Sequence, residues 1–146
     1  MSSSVLGTSF EMSLRILLLL SAGKVCLTAD MLVLADLLTA YGANFGITKI
    51  NLHGDNNNPL DELAARRAKI TEAIKILVLR NFIDVIHGEN GFYYSISKNG
   101  AMFIRGNVSE YAVNYRTCAK SVIRYVKGKT EREVFALIST KGGLND

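Results

Sequence analysis

Two histidines and two cysteines are the groups best suited to acid–base, nucleophilic or metal chemistry among these 146 residues, and they are dispersed. His53 and Asp55 lie in the polar phrase Asn51-Leu52-His53-Gly54-Asp55-Asn56, where they offer an acid–base pair or simply a locally hydrogen-bonded loop. A nucleophilic Ser, Cys or Thr needs an adjacent base that a third group orients, and no such set is legible. Zinc needs four ligands at characteristic spacing, which Cys26, His53, His87 and Cys118 do not provide. Gly42-Ala43-Asn44-Phe45-Gly46 follows a helical segment and lacks the lysine of a phosphate-binding loop. The expectation is a chain without catalytic residues, metal site, cofactor or small-molecule substrate.

The composition suits one domain. Hydrophobic residues make up 49% and proline occurs once, and a chain of this length buries roughly 70% of its unfolded surface. Two distant cysteines do not make a disulfide framework, which points to a reducing cytoplasm, and both read as packed rather than reactive. Arg15 followed by Ile16-Leu17-Leu18-Leu19-Leu20 and Ser21-Ala22-Gly23 imitates a targeting segment. The run is far short of the about 20 residues that span a bilayer, and Glu11 spoils a basic leader, so a buried helix is expected and no membrane.

The elements that must position these residues follow from caps and periodicity. Residues 1–8 read as a frayed N-terminus, although Thr8 and Glu11 have the spacing of a capping box. The helix they open is apolar nearly all round to about Ala22, as a central core helix is. Thr28 caps a second helix through about Tyr41. A long loop, 42–59, precedes a third helix from Leu60 to Asn81. Phe82–Ile86 and Phe92–Ile96 flank Gly88-Glu89-Asn90-Gly91, a hairpin signal. Ser97 caps a short helix to Arg105, Ser109 a longer one to about Lys127, and Thr130 with Glu133 a last one ending near Thr140. This order predicts a mainly α (α+β) fold: a winged helix-turn-helix over 9–97 with a two-stranded wing, and C-terminal helices over 98–146 packed on it as part of one domain.

A winged helix invites a DNA-binding reading, for which phosphate neutralisation is the first test. From Met1 to Ser97 there are eight basic and nine acidic residues, and the wing tip carries Glu89 without a cation. Arg66, Arg67, Lys69 and Lys75 cluster near the start of the third helix, where base-reading residues fall; they read as DNA contacts or as a solvated helix face. The positive charge lies in the tail, with nine basic and four acidic residues from Lys98 onward. On the helix after Ser109, Tyr111, Tyr115, Cys118, Val122 and Val126 form an apolar stripe. Arg116, Lys120, Arg124 and Lys127 form a basic stripe on the other side, suited to an acidic partner surface, to DNA held by a complex, or to solvent.

The segment Phe10-Glu11-Met12-Ser13-Leu14-Arg15-Ile16-Leu17-Leu18-Leu19-Leu20, the phrase Leu27-Thr28-Ala29-Asp30, and above all Tyr41-Gly42, Phe45-Gly46-Ile47 and Asn51-Leu52-His53-Gly54-Asp55-Asn56 resemble the small middle component of bacterial ABC-three-component conflict systems, including the Lamassu type. Arg66-Arg67, Ala73–Leu79 and Ser109–Tyr115 extend the resemblance over most of the chain. It implies a non-enzymatic subunit linking an SMC-like or Rad50-like ABC ATPase to an effector, often a nuclease, in antiphage defence. The competing reading is a sequence-specific DNA-binding transcriptional regulator. The long loop, with Asn51 to Asn56 at its centre, is expected to contribute a protein interface, because it offers many polar groups on flexible backbone.

Overall fold

The computed structural model describes residues 8–144, with side chains as far as Thr140; the N-terminal residues before Thr8 lie outside it. Helices α1 (Ser9–Gly23), α2 (Ala29–Ala40) and α3 (Leu63–Leu79) precede the antiparallel strands β1 (Ile83–Gly88) and β2 (Gly91–Ile96). Helices α4 (Lys98–Arg105), α5 (Glu110–Val126) and α6 (Glu131–Leu144) follow. The fold is mainly helical with one two-stranded sheet, in the element order that the sequence predicts.

Every anticipated N-cap is formed. Thr8 accepts from the Glu11 N–H at 3.1 Å while Glu11 accepts from the Thr8 N–H at 2.6 Å, so Thr8 belongs to α1 rather than to a frayed end. Thr130 and Glu133 repeat the arrangement at 3.1 and 2.7 Å. Thr28, Ser97 and Ser109 cap α2, α4 and α5 through N–H groups three residues on. The sequence places the end of α6 near Thr140, but the helix continues through Gly142 and Gly143 to Leu144; a glycine costs a helix only about 1 kcal/mol. Strand β1 starts one residue later than expected because Phe82 closes the hairpin base, donating to the Leu77 carbonyl and accepting from the Ser97 N–H.

The apolar run of α1 is buried from Ile16 to Leu20, as an internal helix requires. Both α1 and α2 pack against α3 and α5, and α6 covers α2. Helix α4 sits directly on the hairpin base: a Cβ on Gly100 would lie 2.1 Å from the Phe82 carbonyl oxygen, so only glycine permits this approach. The Leu27 backbone extends the outer edge of β2, exchanging hydrogen bonds of 2.9 and 2.8 Å with Tyr94. Among the described residues no helix is long and apolar enough to cross a membrane. Cys118 is buried, but Cys26 is exposed in the link between α1 and α2, so the expectation that both are packed is corrected.

Candidate functional site

Four charged residues lie where a sequence otherwise places apolar ones. Arg15 on α1, Asp36 on α2 and Arg66 on α3 are each at most 2% exposed, and Glu62 stands one turn before Arg66. Asp36 accepts from Arg15 Nε at 3.1 Å and Nη2 at 2.6 Å, from Arg66 Nη1, and from the Tyr115 hydroxyl at 2.5 Å. One carboxylate thus joins α1, α2, α3 and α5. Arg66 Nη2 donates to Glu62 Oε1 at 2.6 Å. Two cations and two anions make the cluster neutral, which is the condition under which buried charge is tolerated. Burial opposes ionisation of Asp36, but Arg15 and Arg66 outweigh it and hold the carboxyl well below its usual range. Burial and the adjacent Asp36 push the Tyr115 hydroxyl well above its usual value, so it stays a proton donor.

Arg66 therefore cannot reach DNA or a partner, and its reading as a contact or as part of a solvated face is corrected: it is an internal counter-ion. Arg67 is about half exposed and paired with Asp30. Lys69 is partly buried and Lys75 is exposed. The cationic start of α3 is thus weaker than its sequence suggests.

The long loop is fastened to this cluster. Gly42–Phe45 and Pro59–Glu62 form 3₁₀ turns at its two ends. Asn51 accepts from the Ala43 N–H at 2.9 Å and donates to Asn44 Oδ1 at 2.8 Å; Asn44 in turn donates to the Asn56 carbonyl at 2.7 Å. Asn56 Nδ2 and the Tyr41 hydroxyl both donate to Glu62 Oε2, at 2.8 and 2.5 Å. Leu52 packs on the core. Gly54 turns the chain with φ of +83°. The expected flexible polar loop is a braced one because its asparagines spend their amides on each other. Asn51, Leu52, His53 and Asn56 point into the protein, whereas Gly54 and Asp55 face solvent.

His53 pairs with Tyr111 rather than with Asp55, its Nε2 lying 2.8 Å from the Tyr111 hydroxyl. Burial, reinforced by Arg15 and Arg66, lowers its pKa to about 4, so the ring is neutral near pH 7. Burial raises Tyr111 to about 12. The pair works as a latch between the loop and α5. Among the described residues no group of three or more His, Cys, Asp or Glu is placed to hold a metal ion.

The stripe on α5 keeps its two sides apart. Tyr115, Cys118, Val122 and Val126 are buried, and Arg116, Lys120, Arg124 and Lys127 are exposed. Tyr111 departs from the apolar side, at 39% exposure, because its hydroxyl serves His53.

The family model of ABC-three component (ABC-3C) system Middle Component 2 matches residues 5–143, almost the entire chain. The chain belongs to the Middle Component 2 family. Neither a curated protein nor a solved structure matches it.

In this middle component, the face where α3 meets the hairpin is apolar. A shallow groove there is lined by Ile74, Val78, Leu79, Val85, Phe92 and Tyr94, with Lys75 at its edge. Leu79 is 82% exposed, Phe92 49% and Val85 43%. The strand register explains the grouping, since Val85 stands opposite Tyr94 and Phe92 opposite His87 on the same side of the sheet. Sequence reasoning missed this face and the buried ion cluster. The signal for the cluster was present: one arginine and one aspartate each stood within an otherwise apolar helix, and charges buried in that way must pair.

Proposed function

We propose that this middle component is a non-enzymatic winged-helix adaptor that joins an SMC-like or Rad50-like ABC ATPase to an effector subunit, a nuclease, in cytoplasmic antiphage defence of the Lamassu type. The observation that carries this reading is the apolar face of α3 and the hairpin. In a winged helix these elements form the surface that meets the macromolecular partner. A base reader needs cations and amides there, whereas this chain presents Leu79, Val85 and Phe92 and buries Arg66. Exposed aromatic and aliphatic groups collected on one face match the centre of a protein interface. Lys75 at its rim favours an ATPase surface that is apolar at its centre and acidic at its edge. Membership of a three-component family supports the existence of such partners.

The alternative, a sequence-specific transcriptional regulator, would read bases through Arg67, Lys69 and Lys75. Co-expression with the ATPase and effector subunits of the same system separates the two. An adaptor co-purifies with both, and its deletion leaves ATPase and effector apart. A regulator stays outside the complex and selects one duplex sequence tightly from a random pool at physiological salt. Purified chain that hydrolyses ATP or cuts DNA after metal chelation and repurification would refute the non-enzymatic assignment.

A further inference from the structure

A second groove, of about 500 Å³, lies where the end of α1, the end of α4 and the first half of α5 converge. Four cations line it: Lys24, Arg105, Arg116 and Lys120. No acidic residue lines it, and none of the four makes an ion pair among the described residues. Ser21 and Thr117 also line it, their hydroxyls donating to the Leu18 and Val113 carbonyls of their own helices. The remaining wall includes Val108 and Val113, which are 77% and 52% exposed. Lys24 is set at the rim by the α1 terminus, where it takes a left-handed conformation with φ of 51°. Beyond the groove, Arg124 and Lys127 continue the positive charge along α5.

We infer that this groove binds the phosphodiester backbone of a nucleic-acid strand. Four like charges drawn together around a low-dielectric wall repel one another and concentrate a positive potential that only an anion relieves. The guanidinium forks of Arg105 and Arg116 match phosphate oxygens. A protein partner normally presents both signs of charge to its complement. Here one sign runs from the groove down α5 from Arg116 to the capping residue Lys127, eleven residue steps or about 16 Å of helix rise, which suits a polymer carrying one charge per unit. The exposed valines offer apolar contact to sugars or bases. This site is separate from the apolar face assigned to the ATPase, so the isolated chain tests it whatever its partners prove to be.

The experiment is a fluorescence-anisotropy titration of the full chain with labelled 20-nucleotide single-stranded and duplex DNA between 50 and 300 mM salt (chosen conditions, roughly bracketing physiological strength). Unlabelled poly-glutamate of matched charge serves as competitor. Arg105→Gln with Arg116→Gln removes two phosphate contacts. Each contact accounts for about 0.7 of the log–log salt slope on a single strand and about 0.9 on duplex. The double variant should therefore flatten the single-strand slope by about 1.4 and weaken binding roughly 25-fold at 0.1 M salt. Lys49→Gln with Arg132→Gln, which removes the same charge elsewhere, should leave slope and affinity nearly unchanged. Preference for one DNA form identifies which backbone is seated. The inference is overturned if both double variants weaken binding equally, if the groove variant binds like the original, if no DNA binds at 50 mM salt, or if poly-glutamate competes as strongly as DNA.

Discussion

Replacing Asp36 by Asn should cost this protein a large share of its stability. The substitution preserves shape but removes the anion that serves Arg15, Arg66 and the Tyr115 hydroxyl. The neutral cluster becomes a buried site with a net charge of one cation, and an amide nitrogen faces donors that it cannot accept from. Breaking a buried ion pair in this way costs about 3–5 kcal/mol, against a total stability of about 5–15 kcal/mol. The thermal midpoint should fall by roughly 10 °C for a chain of this size. Urea unfolding followed by circular dichroism at 222 nm measures the loss directly. The pH dependence supplies the sign. Asp36 is held below its unfolded pKa, so its contribution is complete above about pH 4 and declines only as the pH falls further towards the depressed folded value. The variant should lack that component of acid sensitivity. A loss below about 1 kcal/mol would refute the view that this carboxylate ties four helices together.

His53 carries the opposite kind of group with the same dependence on pH. Its folded pKa, about 4, lies below the unfolded value of 6.5, so stability is full above pH 6.5 and falls by at most about 3 kcal/mol as the pH drops through that interval; His53→Ala should abolish this slope in urea titrations at pH 5 and 7.5. Leu52→Ala should lower the unfolding free energy by about 2 kcal/mol because its side chain packs on the core, and an unchanged stability would return Leu52 to the role of an outward contact. Gly100→Ala should cost about 1–3 kcal/mol, since α4 must move off the Phe82 carbonyl. Gly106→Ala, where nothing lies within 4 Å, should change stability little.

The elements were legible because local chemistry dictates them. Thr8, Thr28, Ser97, Ser109 and Thr130 all announce helix starts that the fold realises, and the glycines flanking Glu89-Asn90 announce the hairpin. The family was legible in the loop phrase around His53. The roles of that phrase were not. Asn51 and Asn56 look like exposed polar residues until the loop folds back on its own ends, where Asn44 and Glu62 bind them. Arg66 looks like a DNA contact because a helical period cannot say which neighbours will neutralise it. The apolar face escaped for a related reason: Leu79 ends an apolar helix and Phe92 starts an aromatic strand, and only the folded arrangement shows that both stay uncovered on one side.

The adaptor account rests on that face, and one measurement tests it most directly. Leu79→Glu with Phe92→Glu should leave the isolated chain folded, because Leu79 is largely and Phe92 half exposed and neither belongs to the buried core. When co-expressed with the ATPase and effector subunits and resolved by size-exclusion chromatography with light scattering, the original chain should elute in the complex and the variant alone. A variant that still elutes with the ATPase at the original stoichiometry would contradict the assignment of this face to the partner.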